Sequence, residues 1–171
     1  MGRHKLGLKA IKMGAIAGDG DMGTSLVAIG DTVLDTAEMT TEEGTVTEFS
    51  IEESDSPVLS INTEPDSIVF AWSTYANDAA TLAKLFGGTV TPAAGGVGEL
   101  WEMPDAIPEI EQSLEIEWKK GGFMRIPRAR IKAAFQGSFK KSALSQINIT
   151  ATVLQPTKAG VKRLTIENAN T

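Results

Sequence analysis

The run GDGDMG at residues 18–23 is the first segment whose residue types could do chemistry, because it fits the GxGxxG spacing that cradles a dinucleotide pyrophosphate. That fingerprint needs a helix directly after it, yet the next residues are strand-like, and Asp19 and Asp21 would repel phosphates. The run also begins like a calcium loop, but Thr24 stands where the sharp-turn glycine belongs and Gly30 where the bidentate glutamate belongs. We therefore predict a turn or loop here.

Glu115 and Glu117 offer a second chemistry, since residues two apart on a strand share a face and glycoside hydrolysis uses paired carboxyl groups. Nothing in the sequence indicates an apolar pocket that would raise one pKa, so a solvated charge ladder is the better interpretation. The chain has no cysteine and one histidine, His4, in its basic opening stretch. This composition argues against a Ser-His-Asp triad, a thiolate nucleophile and a zinc site. We predict no enzymatic activity, no metal and no cofactor.

The composition is that of a globular protein: 171 residues, 42% hydrophobic and 22% charged. This length suits one domain, residues 1–171, with a core that needs neither disulfides nor metal. No apolar run approaches the roughly 18 residues of a membrane span, and the opening residues lack the long apolar stretch of a signal peptide. We expect the protein to be made and used without the secretory route.

Charges are segregated along the chain. Residues 13–83 carry 14 acids and no lysine or arginine, whereas residues 84–171 carry 12 bases against 8 acids. Oppositely charged regions in one subunit favour head-to-tail contacts between identical copies, which build rings or open stacks. The net charge of −6 argues against a protein that holds nucleic acid through its phosphates.

Short segments of alternating polarity, separated by glycine, proline and threonine, predict a mainly β fold, either an antiparallel β-sandwich or a barrel. One flanking α-helix is predicted at about residues 77–87, where apolar side chains recur at helical spacing, Asn77 or Asp78 can cap the start and Gly87 can end it. The predicted strands span about residues 5–16, 24–40, 45–53, 57–63, 67–74, 109–118, 123–135, 143–154 and 161–167, with a Gly-rich loop at 91–98.

The most specific local prediction is a hairpin between residues 109–118 and 123–135. Apolar residues of the second strand occupy even positions before Pro127 and odd positions after it. A one-residue β-bulge at Pro127, which has no amide hydrogen for the ladder, would restore a single apolar face. A turn through residues 120–122 then sets acids opposite bases, which fixes the register. The predicted pairs are Trp118 with Met124, Ile116 with Ile126, Glu117 with Arg125, Glu115 with Arg128, and Glu111 with Lys132.

Three segments resemble the tail tube proteins of long-tailed bacteriophages and prophages: residues 9–17 (KAIKMGAIA) with the following Gly-Asp loop, 126–132 (IPRARIK) and 147–156 (INITATVLQP). The resemblance covers most of the chain through strand pattern and order. It implies a β-sandwich or barrel with one helix, six copies that close into a ring, and rings that stack into a hollow tube that passes DNA without binding it specifically. The type VI secretion tube is built similarly.

The resemblance also implies a place in the virion tail, assembly in the host bacterial cytoplasm, contacts with other tail proteins rather than with a membrane, and no catalytic residues. Two other functions stay open. One is a different tail component of the same fold, such as a terminator or adaptor. The other is a small-ligand-binding β-barrel, or an enzyme with an unrecognised site.

Residues 38–57, rich in glutamate and threonine around Gly44, are predicted to form a projecting hairpin or arm that becomes ordered against the next ring. Phe49 and Ile51 alternate with polar residues, so one face could be buried on a partner, while no basic residue lies nearby in sequence. A plain solvated hairpin is the alternative. The predicted inter-subunit residues are Glu42, Glu43, Glu48, Phe49, Ile51, Glu52, Glu53 and Asp55.

Overall fold

A computed structural model of the chain describes residues 4–168. In this part of the chain the elements are β1 (Leu6–Gly14), β2 (Val27–Ile29), β3 (Glu38–Glu42), β4 (Val46–Phe49), β5 (Leu59–Asn62), β6 (Ser67–Thr74), α1 (Ala79–Phe86), β7 (Thr89–Thr91), β8 (Leu100–Glu102), β9 (Ile110–Lys120), β10 (Phe123–Gln136), β11 (Gln146–Val153) and β12 (Thr165–Glu167). The predicted mainly β fold with one flanking helix is confirmed.

Eight strands form one antiparallel sheet in the order β2-β1-β9-β10-β11-β6-β3, with β12 paired to the first part of β10. The sheet is open at β2 and β3, so the closed barrel, one of the two predicted architectures, does not form in the described chain. The segment 30–37 crosses from β2 to β3, and the amide of Val33 donates to the carbonyl of Ser73 in β6 at 2.8 Å. The two edge strands, β2 and β3, therefore lie close together, joined by this crossing segment.

One hydrophobic core lies against a single face of the main sheet. Ile11 and Met13 of β1 share this core with Phe70 and Trp72 of β6, although β6 is four places away from β1 in the sheet. Neighbouring strands are about 4.8 Å apart, so a flat sheet would keep these side chains far from one another. The sheet therefore curves around the core.

Helix α1 is confirmed within its predicted bounds, and its capping residues act as the sequence predicts. The Asp78 carboxylate accepts hydrogen bonds from the backbone amide of Thr81 at 3.0 Å and from its hydroxyl at 2.8 Å. Gly87 ends the helix with a φ of 76°, a conformation that favours glycine, and its amide donates to the carbonyl of Ala83 at 2.9 Å. The helix packs against β10 and against the small β7–β8 sheet, where Trp101 donates from Nε1 to the Gly87 carbonyl at 2.9 Å.

Strands β9 and β10 form the predicted hairpin, and the predicted bulge is confirmed. Ile126 faces Leu114 before the bulge and Ala129 faces Gln112 after it, so β10 contains one residue more than β9 over this stretch. Ile126 and Ala129 are consequently both fully buried on the core face. The bulge also divides β10 between two partners, since β12 pairs with the part before it and β11 with the part after it.

The predicted register of this hairpin is wrong by two residues. Met124 lies opposite Ile116 rather than Trp118. The cause is the turn: the amide of Trp118 donates to the carbonyl of Gly122 at 3.1 Å, so residues 119–121 rather than 120–122 connect the paired parts of the two strands. Because side chains alternate along a strand with a period of two, the shift leaves every side chain on its predicted face.

Ser113 ties the bulge to the first loop of the chain. Its side chain is fully buried, although its position in β9 directs it to the face opposite the core. The hydroxyl donates to the carbonyl of Pro127 at 2.6 Å and accepts a hydrogen bond from the amide of Gly23 at 2.9 Å. One side chain thereby satisfies two buried backbone groups that lie outside the regular ladder.

We predict that Ser113→Ala lowers the free energy of unfolding by about 2 kcal/mol, because the Pro127 carbonyl and the Gly23 amide lose their shared partner while they remain buried. Urea denaturation measures the change. Ser142→Ala, at an exposed position in the β10–β11 loop, is the matched control and should alter stability by less than about 0.5 kcal/mol. Equal effects of the two substitutions would show that Ser113 does not support the bulge.

Candidate assembly surfaces

The segment between β3 and β6 is one long hairpin in two parts. β3 pairs with β6 at the edge of the main sheet, whereas β4 and β5 pair only with each other among the described residues. We call the outer part, residues 45–63, the arm. Gly44 marks the junction: its amide donates to Oδ1 of Asp66 at 2.7 Å, and a Cβ at this position would collide with the carbonyl of Glu64. The arm therefore continues this hairpin beyond Glu42 and Ser67, where the pairing of β3 with β6 ends.

The arm is an amphipathic ribbon of two strands. Phe49 lies opposite Leu59 and Thr47 opposite Ile61, so these side chains share one face. Phe49, Leu59 and Ile61 are about half exposed, at 50%, 51% and 45%. An isolated two-stranded hairpin is marginally stable in water. The arm thus presents apolar surface that no other described part of the chain covers.

All the predicted inter-subunit residues lie in or beside the arm, but not on one face. The predicted bounds, residues 38–57, need correction, because residues 38–42 belong to the main sheet and the return strand β5 ends at Asn62. Sequence reasoning therefore missed Leu59 and Ile61, which complete the apolar face. Glu42 ends β3, Glu43 follows it, Glu48 and Phe49 lie on opposite faces of β4, and Ile51, Glu52, Glu53 and Asp55 lie in the loop that joins β4 to β5.

The face of the main sheet opposite the core carries alternating charges across four strands. Nζ of Lys12 in β1 lies 2.9 Å from Oε1 of Glu115 in β9. Oε2 of Glu115 lies 2.9 Å from Nε of Arg125 in β10. Nη1 of Arg125 lies 2.8 Å from Oε2 of Glu167 in β12. The two central charges, Glu115 and Arg125, each have opposite charges on both sides.

None of the three predicted charge pairs forms as predicted, because the register shifts by two residues and β1 supplies bases from the other side of β9. Glu115 binds Arg125 instead of Arg128, and Glu117 binds Lys9, whose Nζ lies 2.6 Å from its Oε1. In the third pair, Glu111 accepts two hydrogen bonds from Arg128, at 2.7 Å and 3.1 Å, while Lys132 lies opposite Thr150 of β11.

Two carboxylates of this face, those of Glu111 and Glu115, are held in the ionised form by their basic partners. Burial raises the pKa of Glu115, but the hydrogen bonds from Lys12 and Arg125 outweigh it, and the pKa lies below its ordinary value of 4.5. The hydrogen bond from Arg128 likewise lowers the pKa of Glu111. These carboxylates are therefore members of a network of paired charges at neutral pH.

The loop at residues 18–23 contains neither a helix nor a strand, as predicted. Nζ of Lys158 lies 2.8 Å from Oδ2 of Asp19 and 2.7 Å from Oδ2 of Asp21. Hydrogen bonds to Lys158 lower the pKa of both carboxylates and raise the pKa of the ammonium group. The two aspartates thus tie this loop to the segment between β11 and β12.

A cavity of about 780 Å³ lies between β1, β9 and the crossing segment 30–37. Its walls combine buried apolar side chains with charges of both signs. The lining includes Ile29, Phe70, Ile116, Met124, Lys5, Lys119, Asp31 and Asp35. An apolar interior with a few polar groups is the usual form of a small-molecule site.

Comparisons with models of known protein families and with curated proteins find no match to this chain. Within residues 4–168, no group of three or more histidine, aspartate or glutamate side chains is arranged to hold a metal ion. None of the helical structure in that range is long and apolar enough to cross a membrane.

We predict that Glu115→Gln lowers the free energy of unfolding by about 1 kcal/mol at neutral pH, because Lys12 and Arg125 lose the carboxylate they share. The folded-state pKa of Glu115 lies below 4.5, so its contribution is complete above that pH and is lost as the pH falls through the folded-state value. Urea denaturation from about pH 7 down to about pH 2 should show the two proteins converging.

The matched control for this prediction is Glu53→Gln, at an exposed position in the arm loop that forms no ion pair with any described residue. It should leave stability unchanged across the same pH range. A deficit of Glu115→Gln that is as large in acid as at neutral pH would contradict the ion-pair account.

Proposed function

We propose that this chain is a structural subunit of a bacteriophage tail tube, whose copies form hexameric rings that stack head to tail into a hollow tube for DNA. The resemblance of residues 9–17, 126–132 and 147–156 to tail tube proteins supports this proposal. The structural observation that carries it is the arm, which projects past the ends of β3 and β6 and whose apolar face is not covered by the described part of its own chain.

Burial of the arm gives assembly an energetic basis. Full burial of a Phe, Leu or Ile side chain contributes about 1.5 to 3 kcal/mol, so covering the exposed halves of Phe49, Leu59 and Ile61 contributes about 2 to 4 kcal/mol per subunit. In a head-to-tail assembly every copy provides one arm and receives one. In a stack every arm is therefore covered, except the arms of the ring at one end.

The open sheet is a second source of subunit contact. β2 and β3 are its edge strands, and each leaves backbone donors and acceptors free for pairing with another chain. All five residues of β3 are exposed. Neighbours placed side by side in a ring would cover such edges.

The charged face of the sheet suits the wall of a DNA channel. Most of its basic side chains are paired with carboxylates, as in the row formed by Lys12, Glu115 and Arg125. Clusters of unpaired lysine or arginine would hold phosphates and slow the passage of DNA. Paired charges keep the surface hydrated without this attraction.

The cavity favours a second candidate function, small-ligand binding. Trp118 lies on its wall, so its fluorescence would report an occupant. A specific ligand that saturates this signal, in a protein that stays monomeric, would favour this second function over the tube.

Replacing residues 46–62 by Asn-Gly tests the tube proposal, because the shortened hairpin retains the pairing of β3 with β6 and loses the arm. We expect the variant to keep the thermal midpoint of the wild type and to stay monomeric at concentrations at which the wild type forms rings and tubes. Sedimentation at several concentrations and electron micrographs measure this difference.

The matched control replaces residues 93–98, in the exposed loop between β7 and β8, by Asn-Gly, and should assemble normally. A wild-type protein that is monomeric at every concentration would contradict the tube proposal. Closed rings that never stack would instead favour a tail terminator or adaptor.

A further inference from the structure

The loop between β10 and β11 is a second unpartnered surface, opposite in charge to the arm. We call residues 139–144 the basic tip. Phe139 is 98% exposed and Leu144 is 69% exposed, and Lys140 and Lys141 lie between them without any acid in the tip. Solvent-exposed apolar side chains next to like charges are typical of a surface that docks on a partner of the opposite charge.

The neck of this loop is well fixed. Oγ of Ser145 accepts a hydrogen bond from the amide of Ser138 at 2.9 Å and donates to the Ser138 carbonyl at 3.1 Å. Ring atoms of Phe135 and Phe139 lie 3.0 and 3.5 Å from where a Cβ of Gly137 would stand, so the two rings flank this glycine. The two ends of the basic tip are therefore held together at Ser138 and Ser145, which lowers the entropic cost of docking.

The arm and the basic tip leave the main sheet near opposite ends of strand β6. The arm precedes Ser67, the first residue of β6, whereas the basic tip precedes Ile147, which pairs with Thr74, the last residue of β6. Eight residues of β-strand span about 24 Å. Within one subunit the two surfaces thus point away from each other.

We infer that the arm of one copy is covered by the basic tip of the next copy along the stack, an inference that rests on the proposed tube function. The arm carries Glu48, Glu52, Glu53 and Asp55 and no base, and the basic tip carries two lysines and no acid. Phe139 packs against the apolar face of the arm while the lysines pair with its carboxylates. Because the two surfaces differ and lie at opposite ends, the contact is heterologous and propagates.

Charge reversal tests this contact with two variants. The first, Lys140→Glu with Lys141→Glu, makes the tip acidic. The second, Glu48→Lys with Glu52→Lys and Glu53→Lys, makes the arm net basic. Each variant alone sets like charges against each other and should associate at least about tenfold more weakly than the wild type. An equimolar mixture of the two variants should assemble again, because the tip of each variant meets the oppositely charged arm of the other.

The apolar part of the contact is tested by Phe139→Ser, which should weaken association by about tenfold or more without changing the thermal midpoint, because the side chain is already in solvent. Val97→Ser, at a residue that is 71% exposed in the β7–β8 loop, is the matched control and should associate like the wild type.

The outcomes separate this inference from the tube proposal. If the wild type assembles and both charge-reversed variants assemble equally well alone, the arm–tip contact is wrong and the tube proposal stands. If the wild type never assembles, both are wrong. If reversal of the two lysines abolishes binding to duplex DNA or to anionic vesicles but leaves self-association unchanged, the basic tip serves a polyanion and the inference is overturned.

Discussion

The one-residue bulge in β10 is the constraint on which the rest of the fold depends. Without it, the apolar residues after Pro127 would face away from the core that Met124 and Ile126 enter. With it, a strand of 14 residues keeps one buried face and pairs first with β12 and then with β11. The Ser113 hydroxyl stabilises this arrangement from the neighbouring strand, since it binds the Pro127 carbonyl and links the bulge to the first loop.

Local features of this fold could be predicted from sequence, and those set by distant strands could not. The helix caps at Asp78 and Gly87 and the bulge depend on residues close in sequence, and each occurs where predicted. The hairpin register depends on which three residues make a Gly-rich turn, and sequence does not distinguish the alternatives. β7 and β8 are three residues each and were missed, because such short strands pair only when Trp101 and α1 hold them together.

The same division holds for the candidate surfaces. The sequence indicated an acidic hairpin with Phe49 on an apolar face, but Leu59 and Ile61 join that face only because β5 pairs with β4. Likewise the acids of β9 were correctly assigned to one face, whereas Lys9 as the partner of Glu117 follows from the pairing of β1 with β9, more than 100 residues apart. The chain thus has one buried core and two exposed surfaces, the arm and the basic tip, that no other described part of it covers.

Hydrogen exchange of the arm amides, residues 46–62, tests most directly whether another copy covers the arm. The account predicts fast exchange in the dilute monomer, because an isolated two-stranded hairpin opens readily, and slow exchange once the protein assembles. Amides of β9 and β10 should exchange slowly in both states and serve as the internal reference. Arm amides that are equally protected in the monomer, or equally unprotected in the assembled protein, would contradict the account.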